Sequence, residues 1–221
     1  MQQPDIQSFA FFDVDETLLN FKSMFSFRAF LFREEDAAEN KAATFFAALH
    51  EMAARCDRSE VNRWFYRSLA GYTPSDIAAA VDRWFDMLQS EVSPVYISKT
   101  VDFLETVRAN GVEPVFVSGS SDFILAPFAN ALNVRHLLCA HLVVENGHYT
   151  GELAHQPVIG EGKRLAIQSF AAKHNISLQT AYAVGDHISD LPMLETVGHP
   201  TVVTGHPELE AIAQARQWPM L

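Results

Sequence analysis

Cysteine is scarce in these 221 residues: Cys56 and Cys139 stand far apart, with no Cys-x-x-Cys pair between them. That excludes a disulfide framework and a thiolate zinc site, and it reads as two reduced, buried thiols of a cytoplasmic protein. The nine histidines show no His-Glu-x-x-His spacing, so no histidine zinc site is expected. No stretch approaches the roughly 18 uninterrupted apolar residues of a membrane span. The opening Met1-Gln2-Gln3-Pro4-Asp5 lacks the basic-then-apolar order of a secretory signal. Basic charge is also short, with 16 Lys and Arg against 27 Asp and Glu, a net −11. A chain this acidic is a poor partner for nucleic acid, whose phosphates must be neutralised. There is no internal repeat and no low-complexity tract. What is present is a globular composition, 48% hydrophobic and 19% charged, able to bury a large core.

The apolar pattern changes period along the chain. The short run Ile6–Val14, rich in phenylalanine and ending among acids, is expected to be a buried strand. From Phe21 to Gln89 the spacing turns helical, in Phe21, Phe25 and Phe32, in Val61, Trp64, Phe65 and Leu69, and in Ile77, Val81, Trp84, Phe85 and Leu88. Thr73-Pro74-Ser75-Asp76 reads as a helix start, and Ser93-Pro94 closes the block. Alternation then returns. A helix over Lys99–Asn110 stops at Gly111, and a strand over Val112–Ser118 follows. Asp122–Leu132 reads as a helix kinked or broken at Pro127. A hairpin is expected around Asn146-Gly147, a helix over Gly160–His174 and a strand over Ala181–Val184. A short helix over Asp190–Thr196 and a last strand over Pro200–Thr204 complete the series. The expected fold is α/β, a Rossmann-like, mostly parallel sheet with helices on both faces. An all-helical cap (residues 21–94) interrupts the core (1–20 and 95–221) directly after the first strand.

Four polar features fall just past expected strand ends or at a helix start: Asp13 with Asp15, Ser118, Lys163, and Asp186 with Asp190. Open α/β sheets bind ligands outside the carboxyl ends of their strands, so these groups are expected to meet at one edge. Carboxylates gathered in one place repel, and a hard cation with oxygen ligands, such as Mg²⁺, stabilises their ionised forms. A lysine and a serine beside it suit the non-bridging oxygens of a phosphoryl group. One carboxylate free to attack phosphorus gives an acyl phosphate, and a second supplies general acid and base.

The order and spacing of these residues resemble the haloacid dehalogenase-like superfamily. Phe11-Phe12-Asp13-Val14-Asp15-Glu16-Thr17 matches its Asp-x-Asp-x-Thr motif, and Val115-Phe116-Val117-Ser118, followed by Gly119, its second. Lys163 within Gly160-Glu161-Gly162-Lys163 is placed as the lone lysine, and Gly185-Asp186-His187-Ile188-Ser189-Asp190 matches the fourth motif. A helical insertion between the first two motifs resembles the cap of subfamily IB, the phosphoserine phosphatase-like members. The resemblance implies a Mg²⁺-dependent phosphatase of a small phosphorylated metabolite. Asp13 would be nucleophile and metal ligand, and Asp15 acid/base, with its carbonyl on the metal. Thr17 would brace the phosphate-binding loop, Ser118 and the Gly119 amide would hold phosphoryl oxygens, and Lys163 would neutralise Asp13 and phosphate. Asp186 would ligate the metal, with Asp190 supporting it directly or through water.

Departures from the pattern bear on specificity. Phosphoserine phosphatases carry a glutamate nine residues after the nucleophile, to hold the substrate amine; Lys22 stands there. That reversal disfavours phosphoserine and favours an anionic or neutral leaving group. Specialised metabolites are candidates, as is histidinol phosphate, to which similar enzymes are assigned though no residue here demands it. Lys22, Arg28, Arg63 and Arg67 are the candidate cap contacts, whereas the cap aromatics are expected to serve packing. Glu16 and His187 are read as local variation pointing away from the substrate. A phosphotransferase using the same aspartyl phosphate is an alternative, as is a phospho-accepting signalling module, which Asp15 disfavours because it would hasten loss of the acyl phosphate. A monomer or homodimer is expected.

Overall fold

The computed structural model describes residues 8–34 and 38–221; Ile6, where the first strand was expected to begin, lies outside them. A five-stranded, all-parallel sheet runs in the order β3-β2-β1-β6-β7. Its strands are β1 (Ser8–Phe12), β2 (Val112–Ser121), β3 (His136–Ala140), β6 (Tyr182–Gly185) and β7 (His199–Val202). β1 lies at the centre, with Phe11 paired to Val115 on one side and Ala183 on the other.

Side chains alternate across a strand, and in β1 both faces are buried. Phe9 and Phe11 pack with Ile167, Phe170, Met193, Leu194 and Leu209. These come from α7 (Glu161–His174), α8 (Leu191–Leu194) and α9 (Pro207–Ala215). Ala10 and Phe12 face the opposite layer, with Phe27, Trp84, Leu104 and Phe128. That layer includes α1 (Ser23–Glu34), α4 (Pro74–Ser90), α5 (Ser98–Ala109) and α6 (Asp122–Ala131). Burial on both faces is why β1 reads as an unbroken apolar run rather than an alternating one.

Four helices, α1, α2 (Ala38–Ala53), α3 (Arg58–Arg67) and α4, intervene between β1 and α5. Their starts follow local chemistry. Thr73 Oγ1 accepts from the Asp76 amide at 3.1 Å ahead of Pro74, and Asp57 caps α3 through the Ser59 and Glu60 amides, as capping residues do. The antiparallel hairpin of β4 (Leu142–Glu145) and β5 (His148–Leu153) turns through Asn146 and Gly147, both at positive φ, the type I′ geometry that Asn-Gly suits. It joins the α3 end through the Gly71 amide to Tyr149 O and the Tyr149 amide to Tyr72 O, each 2.9 Å.

Two elements went unread in the sequence. β3 is one, a strand of five residues opened by His136 with little alternation; the other is α9, whose nine residues offer only the short stripe of Leu209, Ile212 and Ala213. Pro127 neither breaks nor ends α6. Cys139 is buried, Cys56 half-buried, and both are free.

Trp84 joins three helices. It is fully buried, meets Phe27 and Phe128 edge-on at 5.4 and 5.6 Å, and donates from Nε1 to Ser26 Oγ at 3.1 Å. Trp84→Ala is expected to cost about 3–5 kcal/mol, measured as a lower urea midpoint of unfolding.

Candidate active site

The carboxyl end of β1 continues its parallel pairing for one residue, with the Asp13 amide donating to Val184 O at 2.9 Å. The chain then turns: the amides of Thr17, Leu18 and Leu19 all donate to Val14 O, and Glu16 takes a left-handed φ of 64°. This turn brings Thr17 back beneath the acids. Its hydroxyl lies 2.6 Å from Asp186 Oδ1 and 3.2 Å from Asp13 Oδ2, so it ties the first motif to the end of β6. Thr17 is fully buried, which makes it a brace rather than a substrate contact.

Lys163 enters from the first turn of α7. A Cβ at Gly162 would stand 2.0 Å from Pro157 O, so only glycine lets the loop fold close enough to aim the following lysine at the site. Its ammonium bridges Asp13 Oδ1 at 2.5 Å and Asp190 Oδ1 at 2.6 Å, all three groups buried. Asp190 folds back over Gly185, where a Cβ would meet Asp190 Cβ at 2.7 Å. Its Oδ2 accepts from the His187 amide at 3.0 Å.

Asp15 is held separately. Its Oδ1 accepts from the Ser23 amide at 3.1 Å, at the start of α1, where a helix favours negative charge. Its Oδ2 accepts from Ser120 Oγ at 3.1 Å, and Ser120 in turn meets Ser23 Oγ at 2.8 Å. Ser23 and Ser120 were missed in the sequence, since nothing in their spacing ties either to Asp15.

A family model for haloacid dehalogenase-like hydrolases matches residues 10–195, from β1 to the end of this acidic constellation. The chain belongs to that family.

Its relatives within and around the family are informative about fold. A Mycobacterium tuberculosis (strain H37Rv) protein named "Probable phosphatase" is 44% identical over 97 residues, which cover 44% of this chain and 33% of that protein. The matched stretch thus spans a third of the relative's length. A crystal structure of a protein with unknown function from Bordetella pertussis Tohama I superposes with TM-score 0.86 at 28% identity, covering 97% of both chains. A substrate-bound phosphoserine phosphatase shares the fold at TM-score 0.66 and 17% identity, over 92% of this chain and 89% of that one.

In this haloacid dehalogenase-like hydrolase the acids lie at the floor of a cleft of about 300 Å³. Ser118, Gly119, Lys22, Glu16 and His187 also line it. Glu16 and His187 therefore do not point away as expected: the left-handed turn swings Glu16 to the mouth, where it pairs with Lys22. Arg63 and Arg67 are absent from the lining. Arg67 instead pairs with Glu152 of β5 at 3.0 Å, and buried Arg28 stacks 3.7 Å above the Phe32 ring. The α3 cation that does reach the cleft is Arg58, at the start of that helix. Of the cap aromatics, Phe25 and Phe65 line the cleft, while Trp84 is packing alone.

Burial is the main cause that raises the pKa of Asp13, Asp15, Asp186 and Asp190, and neighbouring acids add to it. Lys163 and local hydrogen bonds offset only part. Burial opposes the Lys163 ammonium, but Asp13 and Asp190 outweigh it and raise its pKa. One carboxylate oxygen from each of Asp13, Asp186 and Asp190 lies within 4.8 Å of the others. Hard oxygen donors, an excess of buried acid and this spacing fit a divalent cation such as Mg²⁺. No helix among the described residues is long and apolar enough to cross a membrane.

Asp15 rises from 3.8 to about 6. A raised carboxyl stabilises the fold where it is protonated, and that stability is lost as pH climbs between those values. The difference amounts to about 3 kcal/mol at most. In the metal-free protein, Asp15→Asn is expected to raise unfolding stability above wild type at pH 7–8. The gain should close below about pH 4 in urea titrations run across pH.

Proposed function

We propose that the chain is a Mg²⁺-dependent phosphatase of a small phosphate monoester, working through an aspartyl phosphate on Asp13. The observation that carries this is the buried Lys163 bridge: it holds Asp13 at the cleft floor while Asp15, on separate partners, stays free of it. Asp13 is the nucleophile. Lys163 offsets charge on Asp13 and on the phosphoryl group, and Ser118 with the Gly119 amide binds phosphoryl oxygens. Asp15, with a pKa of about 6, keeps both protonation states accessible near neutrality. It gives its proton to the leaving oxygen and, as a carboxylate, takes one from the attacking water. Asp13, Asp186 and the Asp15 carbonyl would hold Mg²⁺, which when bound offsets the clustered charge and polarises the phosphoryl oxygens. Asp190, both of whose oxygens are engaged by Lys163 and the His187 amide, supports the site by holding that lysine. Residues 21–94 act as the cap over a core of 1–20 and 95–221.

Asp13→Asn is expected to lower kcat at least 1,000-fold, on the order of other lost nucleophiles, with an unchanged circular dichroism spectrum. Chelation should abolish turnover and Mg²⁺ restore it. Turnover of phenyl phosphate surviving in Asp13→Asn would refute the nucleophile.

The leaving-group end of the cleft is walled by Met24, Phe25, Val61, Phe65 and Ile159, with Arg58 at the rim. Lys22 is already paired to Glu16, whereas Arg58 has no ion-pair partner among the described residues and supplies positive charge there. These features support an apolar leaving group, neutral or anionic. In a screen of phosphate esters, aryl esters and carboxylated esters without an ammonium group are expected to exceed phosphoserine and histidinol phosphate in kcat/KM. Arg58→Ala should raise KM about tenfold for carboxylated esters alone.

A further inference from the structure

Two side chains of α3 reach across to one backbone atom of the phosphate site. Asn62 Nδ2 and Tyr66 OH each donate to the Gly119 carbonyl, both at 3.0 Å. Spaced four residues apart, they share one face of the helix. Both are buried, Asn62 at 4% exposure and Tyr66 at 0%. Two donors occupy both lone pairs of that carbonyl, which is more than chain geometry alone requires.

The same peptide unit is held at its other end. The Ser120 amide donates to Ser118 Oγ at 3.1 Å. A trans peptide points its C=O and N–H in opposite directions, so α3 grips the oxygen while Ser118 takes the hydrogen. The plane of the Gly119–Ser120 peptide is thereby fixed. Ser118 Oγ, with one lone pair taken by that amide, donates to no acceptor among the described residues, and its proton is available to the cleft. Tyr66 is not among the cleft-lining residues; its link to the site runs through the Gly119 carbonyl.

We propose that Asn62 and Tyr66 are positioning residues that lock the Gly119–Ser120 peptide, aim the Ser118 hydroxyl at the phosphoryl group, and so couple the phosphate site to the seating of α3. This rests on the phosphatase reading above. It predicts a defect at the phosphoryl end of any substrate, independent of the leaving group.

The test uses the full chain loaded with Mg²⁺, with Tyr66→Phe, Asn62→Leu and the double variant. Inorganic phosphate binding is measured by calorimetry, and kcat and KM are measured with phenyl phosphate and a bulkier aryl ester. Each single change should weaken phosphate binding and lower kcat about 3- to 10-fold, the scale of one lost neutral hydrogen bond. The factor should be the same for both esters, with Tyr66→Phe melting near wild type. Tyr66→Phe binding phosphate and turning over within about twofold of wild type would overturn the proposal. So would a loss that differs between the esters, since that marks a leaving-group contact. If Asn62→Leu does not fold, Tyr66→Phe decides alone, because only a hydroxyl is removed. A wild type that binds phosphate but hydrolyses no ester refutes the phosphatase reading, and the calorimetry still decides the clamp.

Discussion

One buried ammonium makes the rest of the site tenable. Asp13, Asp15, Asp186 and Asp190 converge at one end of the sheet, and burial there pushes each toward its protonated form. Lys163 sits between Asp13 and Asp190, paired to both. Removing a buried partner of this kind leaves an uncompensated charge, which costs far more than an exposed pair contributes. The lysine answers only part of the negative charge. The remainder is an excess of buried acid that, in the function proposed above, a divalent cation would offset.

The fold supplies this concentration through topology. Parallel strands all end at the same edge, so residues at the carboxyl ends of β1, β2 and β6 meet although they are remote along the chain. The two faces of β1 carry different layers, and each contributes. From the α7 layer comes Lys163. From the α1 layer come Ser23, at Asp15, and the α3 residues at Gly119. The helical segment is therefore structural support for the chemistry as well as a wall of the cleft. Its aromatic packing, with Trp84 at the centre, determines how firmly that support is held.

The division between chemistry and specificity follows the same line. Floor residues come from the sheet edge and the start of α7 and have fixed partners; Asp13, Lys163 and Asp190 are buried, Asp15 and Asp186 half-buried. Rim residues, Glu16, Lys22 and Arg58, are more exposed and come from turns and helix ends. Their charges are screened by solvent, so they stand electrostatically apart from the buried bridge.

Asp13, Asp15, Lys163, Asp186 and Asp190 were legible in the sequence because each follows a strand end or opens a helix at a recognisable spacing, and Ser118 because it stands in an apolar strand run, although β2 continues past it to Ser121 rather than ending there. The parallel α/β architecture and the helical block were legible for a related reason: apolar period is a local property. β3 and α9 were not, being short and weakly patterned. Nor were the contacts of Ser23, Asn62, Tyr66 and Ser120, which depend on elements brought together across the sheet edge. The exchange of Arg63 and Arg67 for Arg58 has the same origin. All three sit on one helix, and only the packing of α3 against Gly119 and the β4–β5 hairpin decides which of its faces looks into the cleft. Sequence determined which polar groups gather at the site, because they stand on strands or helix starts whose apolar period is local. Tertiary structure alone decided what orients them, because orientation is set by neighbours that are close in space and remote along the chain.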